Sequence, residues 1–326
     1  VSRRAAKDER RSNQSLSDSW PYDVNNDEVP MRICAVLLFV LAPLAGLAQT
    51  TIKVATLYPP GSEVVVSLQS LSEQLDAALG GKLTLKVYPG GVMGDDATVL
   101  RKIRIGQLQG ALVSAATLEN LDVDVSDLSD PFQFDSLDQV YQQRDEVDEA
   151  FRQRLLDTGW LGFGPLDGGF SYLMSKQKIP TLSALRNAKL WLPNTADIQR
   201  MTRELNISYL VMNIGDVLTG LDTGAIDTLI APPAAALTLN WHSRFNYVTQ
   251  TPVIYTWGML LIPEKTLNRL SAQERDLART MLTEWAANLD SRLRVSNQRA
   301  RDAIQQLLTP QTFSEQDLQN LRISQR

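Results

Sequence analysis

Twice in this chain an apolar, strand-like run is followed by a helical stripe, a glycine stop and another apolar run. That repeated alternation confines the fold to parallel-rich sheets with helices on their faces, an α/β architecture. In the first round, Ile52 to Leu57 is an apolar run that ends in the loop signal Tyr58-Pro59-Pro60-Gly61-Ser62. Val64, Leu68, Leu71, Leu75 and Leu79 then recur at spacings of four and three, the stripe of a helix lying on a core. Gly80-Gly81 stops it, and Leu83, Leu85 and Val87 alternate with polar residues as a half-wet strand. Gly94-Asp95-Asp96 opens a helix carrying Val99, Leu100 and Ile103, its acids suiting the positive end of the helix dipole; Gly106 ends it before the apolar run Ala111 to Val113.

The second round comes about a hundred residues later, after an acidic helical stretch from Leu137 to Leu155. Leu190 to Leu192 and Tyr209 to Met212 read as strands, and helices are predicted from Asp197 and from Ile214 to Leu221. Gly224 breaks the last of these, and Ala225 to Ile230 follows as Gln107 to Leu112 did earlier. Two similar lobes are implied. Ser271 to Leu308 reads as one long helix with a capping box at Ser271 and Glu274 and a stripe of Leu277, Met281, Trp285, Leu289 and Leu293. At ~1.5 Å per residue it is too long for one lobe, so it is expected to kink or to span both.

Residues 31 to 48 read as an export signal: Arg32, an apolar run from Ile33 to Leu47, and small residues at Gly46 and Ala48. Residues 1 to 30 are polar and aperiodic and read as an over-long gene start, with Met31 the initiator. Cys34 lacks the small residue before it that lipid attachment wants. The mature chain from Gln49 is expected in the periplasm without a membrane span.

Composition narrows the chemistry. With 32 Lys and Arg against 37 Asp and Glu, the chain lacks the clustered positive charge that nucleic acid requires. One Cys and one His exclude a disulfide framework and the common zinc sets. His242 would have to serve any Ser-His-Asp arrangement, yet Ser171, in Gly169-Phe170-Ser171-Tyr172-Leu173, lacks the nucleophile-elbow pattern. Gly162, Gly164 and Gly168 miss the dinucleotide spacing and enclose Pro165. Asp122, Asp124, Asp127 and Asp130 lack the glycine and distal glutamate of a calcium loop and read as a solvated acidic run. No enzyme, cofactor or metal is expected.

The segment LSEQLDAALGGKLTLKVYPGGVMGDDATVLRKIRIGQLQGALVS, within Leu68 to Leu118, resembles the first-lobe signature of the extracytoplasmic solute-binding proteins of TRAP transporters, the dicarboxylate-binding (DctP) type. KLWLPN and GDVLTGLDTGAID, within Leu182 to Asp227, resemble its second-lobe signature. The resemblance implies a two-lobed periplasmic binding protein with a sheet in each lobe and a long C-terminal helix spanning them. Lobe I would cover 51–168 with 252–290, and lobe II 169–251 with 291–326. It also implies a receptor that closes on a small-molecule ligand and delivers it to small and large membrane permease subunits driven by an ion gradient. An extracytoplasmic sensor or enzyme on the same scaffold is the alternative.

Departures from the family pattern bear on the ligand. Members carry an Arg in the second-lobe strand that grips a carboxylate with two prongs; here Trp191 stands there, in Lys189-Leu190-Trp191-Leu192-Pro193-Asn194. A family Asn falls in Ile230-Ala231-Pro232-Pro233, and another Arg falls near Phe170 and Ser171. A charge-assisted hydrogen bond contributes roughly 1.5–3 kcal/mol, so losing both prongs costs an acid on the order of a hundredfold. An indole instead offers about 150–250 Å² of apolar surface, so a more apolar ligand is expected. The candidate ligand-binding residues are Tyr58, Gly61 and Ser62 after the first strand, Ser114, Phe170, Trp191, Asn194, Ala231, Pro232, Tyr255 and Trp257.

Overall fold

The computed structural model describes residues 49–193 and 196–323. The extension (1–30), the export segment (31–48) and Asn194 lie outside the described residues. In the first half, β1 (Thr50–Thr56) pairs in parallel with β2 (Leu83–Tyr88) and β3 (Gly110–Ser114). α1 (Glu63–Ala78) and α2 (Asp96–Arg104) connect them, capped by Ser62 and Asp95, whose side chains accept from the Val65 and Thr98 amides. Val64, Leu68, Leu71, Leu75 and Leu79 are all buried, as their spacing predicts.

A 3₁₀ turn (Ala115–Leu121), α3 (Ser126–Ser129) and α4 (Leu137–Asp157) follow. The glycine-studded segment after them, unsuited to a nucleotide loop, is β4 (Trp160–Ser175). This strand joins the halves. One end pairs antiparallel with β9 (Ile254–Pro263), itself antiparallel to β3; the other end pairs antiparallel with β7 (Thr228–Ala231). β7 runs parallel to β5 (Leu190–Trp191), and β5 to β6 (Tyr209–Leu210), giving the order β2-β1-β3-β9-β4-β7-β5-β6. β8 (Tyr247–Thr249) pairs with β4 and with β10 (Thr309–Gln311). The β4–β9 register shifts between Asp167 and Gly169, a bulge that re-aims the strand as it passes from one half to the other. Gly168 is required there: a Cβ would lie 2.7 Å from the Thr256 carbonyl oxygen.

Helices α5 (Leu182–Arg186), α6 (Ala196–Glu204), α7 (Val217–Thr223) and α8 (Pro233–Thr238) belong to the second half. The expected helix from Ile214 starts instead as a 3₁₀ turn (Ile214–Asp216), and the strand expected to Met212 ends at Leu210. Gly224 stops α7 in the left-handed region, φ 72°.

α9 (Ala272–Leu307) is continuous over 36 residues, about 54 Å at 1.5 Å per residue, and is followed by α10 (Glu315–Ile323). It spans both halves: the Trp285 indole donates to Ser67 Oγ at 2.7 Å, and Arg301 Nη2 to the Gln250 carbonyl at 3.2 Å. The expected stripe is corrected at its start. Leu277 is 42% exposed, and Ala278 and Leu282 turn inward with Trp285, Leu289 and Leu293. Two apolar clusters fill one half each, and a third runs from Ala55 and Val113 through Phe170 and Tyr255 to Trp191 and Ala231.

Candidate ligand site

The carboxyl ends of β1 and β3 form a polar rim. Asp96 opens α2 and accepts from the Ser114 amide (3.1 Å), Ser114 Oγ (3.0 Å) and Thr117 Oγ1 (2.8 Å), while burial pushes its carboxyl up against those bonds. Tyr58 is half-buried; burial, then the carboxylates of Asp167 and Asp96, push its phenol up to about 12. Gly61 is exposed at φ 78°, and Ser62 spends its hydroxyl on the α1 cap.

The second half presents an apolar end. Trp191 is 4% exposed, its Nε1 donates to the Met212 carbonyl at 3.2 Å, and its ring meets Trp241 edge-on at 5.5 Å. The indole's polar edge is thus satisfied within its own half. Ala231 closes β7 and Pro232 caps α8, and neither side chain carries a polar atom.

Where β4 and β9 cross, Phe170 packs edge-on to Tyr172 (6.4 Å) and Tyr255 (6.0 Å). The Tyr255 hydroxyl donates to Asp167 Oδ1 at 2.7 Å and accepts from Arg144 Nη1 at 3.3 Å. Arg144 is 3% exposed and also donates to Asp290 Oδ1 (2.9 Å), Asp148 Oδ2 (3.0 Å) and the Pro165 carbonyl (2.9 Å). Burial alone would lower this guanidinium; Tyr255, Asp290 and Asp148 hold it above its ordinary value. Asp167 also accepts from Asn297 Nδ2 at 2.8 Å, yet burial outweighs those bonds and raises its carboxyl. Trp257 sits elsewhere, tilted on Phe151 at 5.1 Å with its indole donating to Ser129 Oγ at 2.9 Å.

Sequence reasoning missed this network. A signal for it exists: Arg144 replaces an apolar residue in the α4 stripe of Val140, Phe151 and Leu155, and an Arg at a core position of a helix demands buried partners. The other suspect groups are accounted for locally. His242 Nδ1 lies 3.1 Å from the Ala236 carbonyl at a 3₁₀ turn. Asp124 holds the Ser126 amide, and Asp127 pairs with Arg154.

Beside the crossing lies a cavity of about 350 Å³. Phe170, Tyr172 and Pro252 form its buried walls, Arg301 of α9 is half-buried in it, and Asp135 and Asp138 stand exposed at the start of α4. Phe170 is the one anticipated residue in its lining; Phe170 packs on Tyr255, Ser114 and Tyr58 share the Asp96 carboxylate, Tyr58 also feels the Asp167 carboxylate that holds Tyr255, and Trp191 and Trp257 lie apart. Among the described residues no helix is long and apolar enough to cross a membrane.

Comparison with known proteins places this geometry. Residues 54–325 match the family described as bacterial extracellular solute-binding protein, family 7 (DctP). The sialic acid-binding periplasmic protein SiaP of Vibrio cholerae is 23% identical over 261 residues, 76% of this chain and 77% of that protein. A TRAP periplasmic solute-binding protein from Citrobacter koseri, solved with bound D-glucuronate, superposes with a TM-score of 0.73 at 22% identity, covering 84% of this chain and 94% of the other. One from Sulfurospirillum deleyianum with bound succinate gives 0.73 at 16% identity, covering 85% and 92%. The strand that passes between the halves, the helix that spans them and a match over nearly all the described residues make this chain a member of the family 7 (DctP) extracellular solute-binding proteins, a receptor and not an enzyme.

Proposed function

We propose that this protein is the periplasmic receptor of a TRAP-type transporter, closing its two lobes (51–168 with 252–290, 169–251 with 291–326) on a small organic acid with a substantial apolar body. It then delivers the ligand to small and large permease subunits powered by an ion gradient. The family's receptor role, and the acids glucuronate and succinate held by neighbours of the same fold, support the ligand class. The observation that carries the apolar preference is Trp191: where the family pattern has a guanidinium, this chain has a buried indole whose one donor is already bonded to Met212. A carboxylate brought to that point finds no charge-assisted partner, a loss of roughly a hundredfold per missing Arg clamp. The remaining site residues proposed for the cleft are Tyr58, Gly61, Ser62, Ser114, Phe170, Asn194, Ala231, Pro232, Tyr255 and Trp257.

Isothermal titration with succinate, glucuronate and a series of monocarboxylates of growing apolar bulk tests this, alongside native mass spectrometry of the freshly purified protein for a co-purified acid. Affinity is expected to rise with apolar bulk, with Trp191→Phe retaining binding and Trp191→Ala weakening it. Tight, salt-sensitive succinate binding would refute the apolar preference, and a protein that binds no organic acid at all would refute the receptor reading.

A further inference from the structure

Two lysines stand side by side on an open part of the first half. Lys53 of β1 and Lys86 of β2 are partners in the parallel register, and both are exposed. They share a face of the sheet with Thr51 and Thr84, whose hydroxyls lie 3.4 Å apart. The opposite face, carrying Ile52, Val54, Leu83 and Leu85, is buried under α1. On the lysine face, α2 packs Val99, Leu100 and Ile103 against Ala55, Ala111 and Val113 and stops short of the edge strand β2. The chain leaving α2 runs beside Lys53, whose amide donates to Gln109 Oε1 at 3.3 Å and whose carbonyl accepts from the Gln109 amide at 3.0 Å. Lys102 of α2 gives its Nζ to the Met93 carbonyl at 2.9 Å, and exposed Arg101 gives Nη2 to Thr98 Oγ1 at 2.7 Å. Among the described residues none of these four cations holds a carboxylate, whereas Lys82 and Arg292 of the same half hold Glu274 and Glu63. Asp95, beside Arg101, is committed to the Thr98 amide at 2.8 Å. Like charges directly opposite on paired strands destabilise a sheet, and nothing in the fold offsets the Lys53–Lys86 pair.

The two most exposed large apolar residues among those described border the same cations. Val92, 71% exposed, precedes the Met93 that holds Lys102. Ile105, 70% exposed, follows Lys102 by three positions and Arg101 by four, on the same side of α2. Lysines are hydrated point charges that suit a diffuse negative field, and protein interfaces are depleted in them. Protruding aliphatic side chains among unpaired cations match a different partner, a bilayer whose headgroups are negative and whose interface admits apolar tips. The net charge of −5 does not cancel this attraction, because charges more than ~8 Å away are screened at physiological salt. We propose that this face of the first half docks on an anionic lipid surface, with Lys53, Lys86, Arg101 and Lys102 against the headgroups and Val92 and Ile105 entering the interface. None of these residues belongs to the proposed cleft, so the surface works with or without a bound ligand.

Co-sedimentation with vesicles tests this, using the chain from Gln49, which carries every element of the fold, so that the apolar segment 31–48 contributes nothing. The vesicles are phosphatidylglycerol and phosphatidylcholine in equal parts, or phosphatidylcholine alone. Binding to the anionic vesicles is expected to be about tenfold or more tighter than to the neutral ones at low salt and to fall steeply at high salt. Lys53→Glu and Lys86→Glu should each weaken it about tenfold or more, since each reverses a charge worth about fivefold per unit. Lys178→Glu, an exposed lysine of the second half, changes the net charge equally and should leave binding unchanged. Val92→Ser with Ile105→Ser should remove what binding persists at high salt. All these positions are exposed, and an unchanged melting temperature in each variant confirms the fold. Inorganic phosphate should displace the protein no better than sodium chloride of equal ionic strength. Equal binding to both vesicles, no binding to either, or a loss in Lys178→Glu as large as in Lys53→Glu overturns the proposal. Displacement specific to phosphate overturns it too, in favour of a site for the free ion. A protein that binds the anionic vesicles and no organic acid keeps this surface and loses the receptor reading.

Discussion

Replacing Arg144 by Met removes the guanidinium that ties α4 to β4, β9 and α9 at the crossing and keeps most of its volume. Its partners fare unequally. Asp290 retains Arg294 Nη2 at 2.9 Å and the Asp167 amide at 2.7 Å, and Asp148, 20% exposed, is partly rehydrated. The Pro165 carbonyl and the Tyr255 hydroxyl each lose their Arg144 bond. Breaking one side of a buried ion pair costs roughly 3–5 kcal/mol, and the surviving partners of Asp290 put this case at the lower end, about 3 kcal/mol. A domain of this size loses roughly 2–4 °C of melting temperature per kcal/mol, so Arg144→Met should melt about 6–12 °C lower by circular dichroism. Arg144→Lys, which keeps the charge and loses the fork, should fall between. A double-mutant cycle with Asp290→Asn should show a coupling of about 1 kcal/mol or more, since the two side chains are in contact. A melting temperature within about 2 °C of wild type for Arg144→Met would refute the claim that this network holds the crossing.

Other substitutions separate the remaining causes. The Asp167 carboxyl is raised by burial, with Asp290 adding repulsion and Asn297, Tyr255 and Arg144 opposing it, so the folded state binds its proton more tightly than the unfolded one. Its stability contribution is therefore fully present at low pH and lost as pH rises through the raised folded value. The melting-temperature difference between wild type and Asp167→Asn should shift in favour of wild type as pH falls from neutral toward the ordinary carboxylate range, and a pH-independent difference would exclude titration as the cause. Gly168→Ala drives a Cβ to 2.7 Å from the Thr256 carbonyl oxygen and should lower stability by about 1–3 kcal/mol in urea unfolding with the m-value unchanged. Ser271→Ala removes the α9 cap, in which Ser271 Oγ accepts from the Glu274 amide at 3.3 Å and Glu274 accepts from the Ser271 amide at 2.9 Å, at a cost of about 1 kcal/mol. Glu274 is held at about 2, first by its bond from Lys82 and then by Ser271, so Lys82→Ala should let the carboxyl rise toward its ordinary range in an NMR titration.

Much of the framework was legible before any coordinates. The stripe of Val64, Leu68, Leu71 and Leu75, the Asp95 cap and the Gly224 stop each encode one element locally, and their order encodes strand, helix and strand. The stripe of the last helix was misread only at its start, because Leu277 satisfies helical spacing as well as Ala278 does and only the packed neighbour selects between them.

The sequence by itself determined the strands and helices of the two repeated rounds and the long C-terminal helix, since periodicity is a property of a few turns of chain; β4, broken by glycines and a proline, was not among them. What the tertiary structure alone decided is how distant segments meet: β4 passing between sheets on the Gly168 bulge, Arg144 reaching Asp290 across 146 positions, and Arg301 lying on Tyr172 beside an open cavity. Those contacts depend on register and on which faces come together. Both are fixed by the packing of the whole core and leave no mark on local spacing.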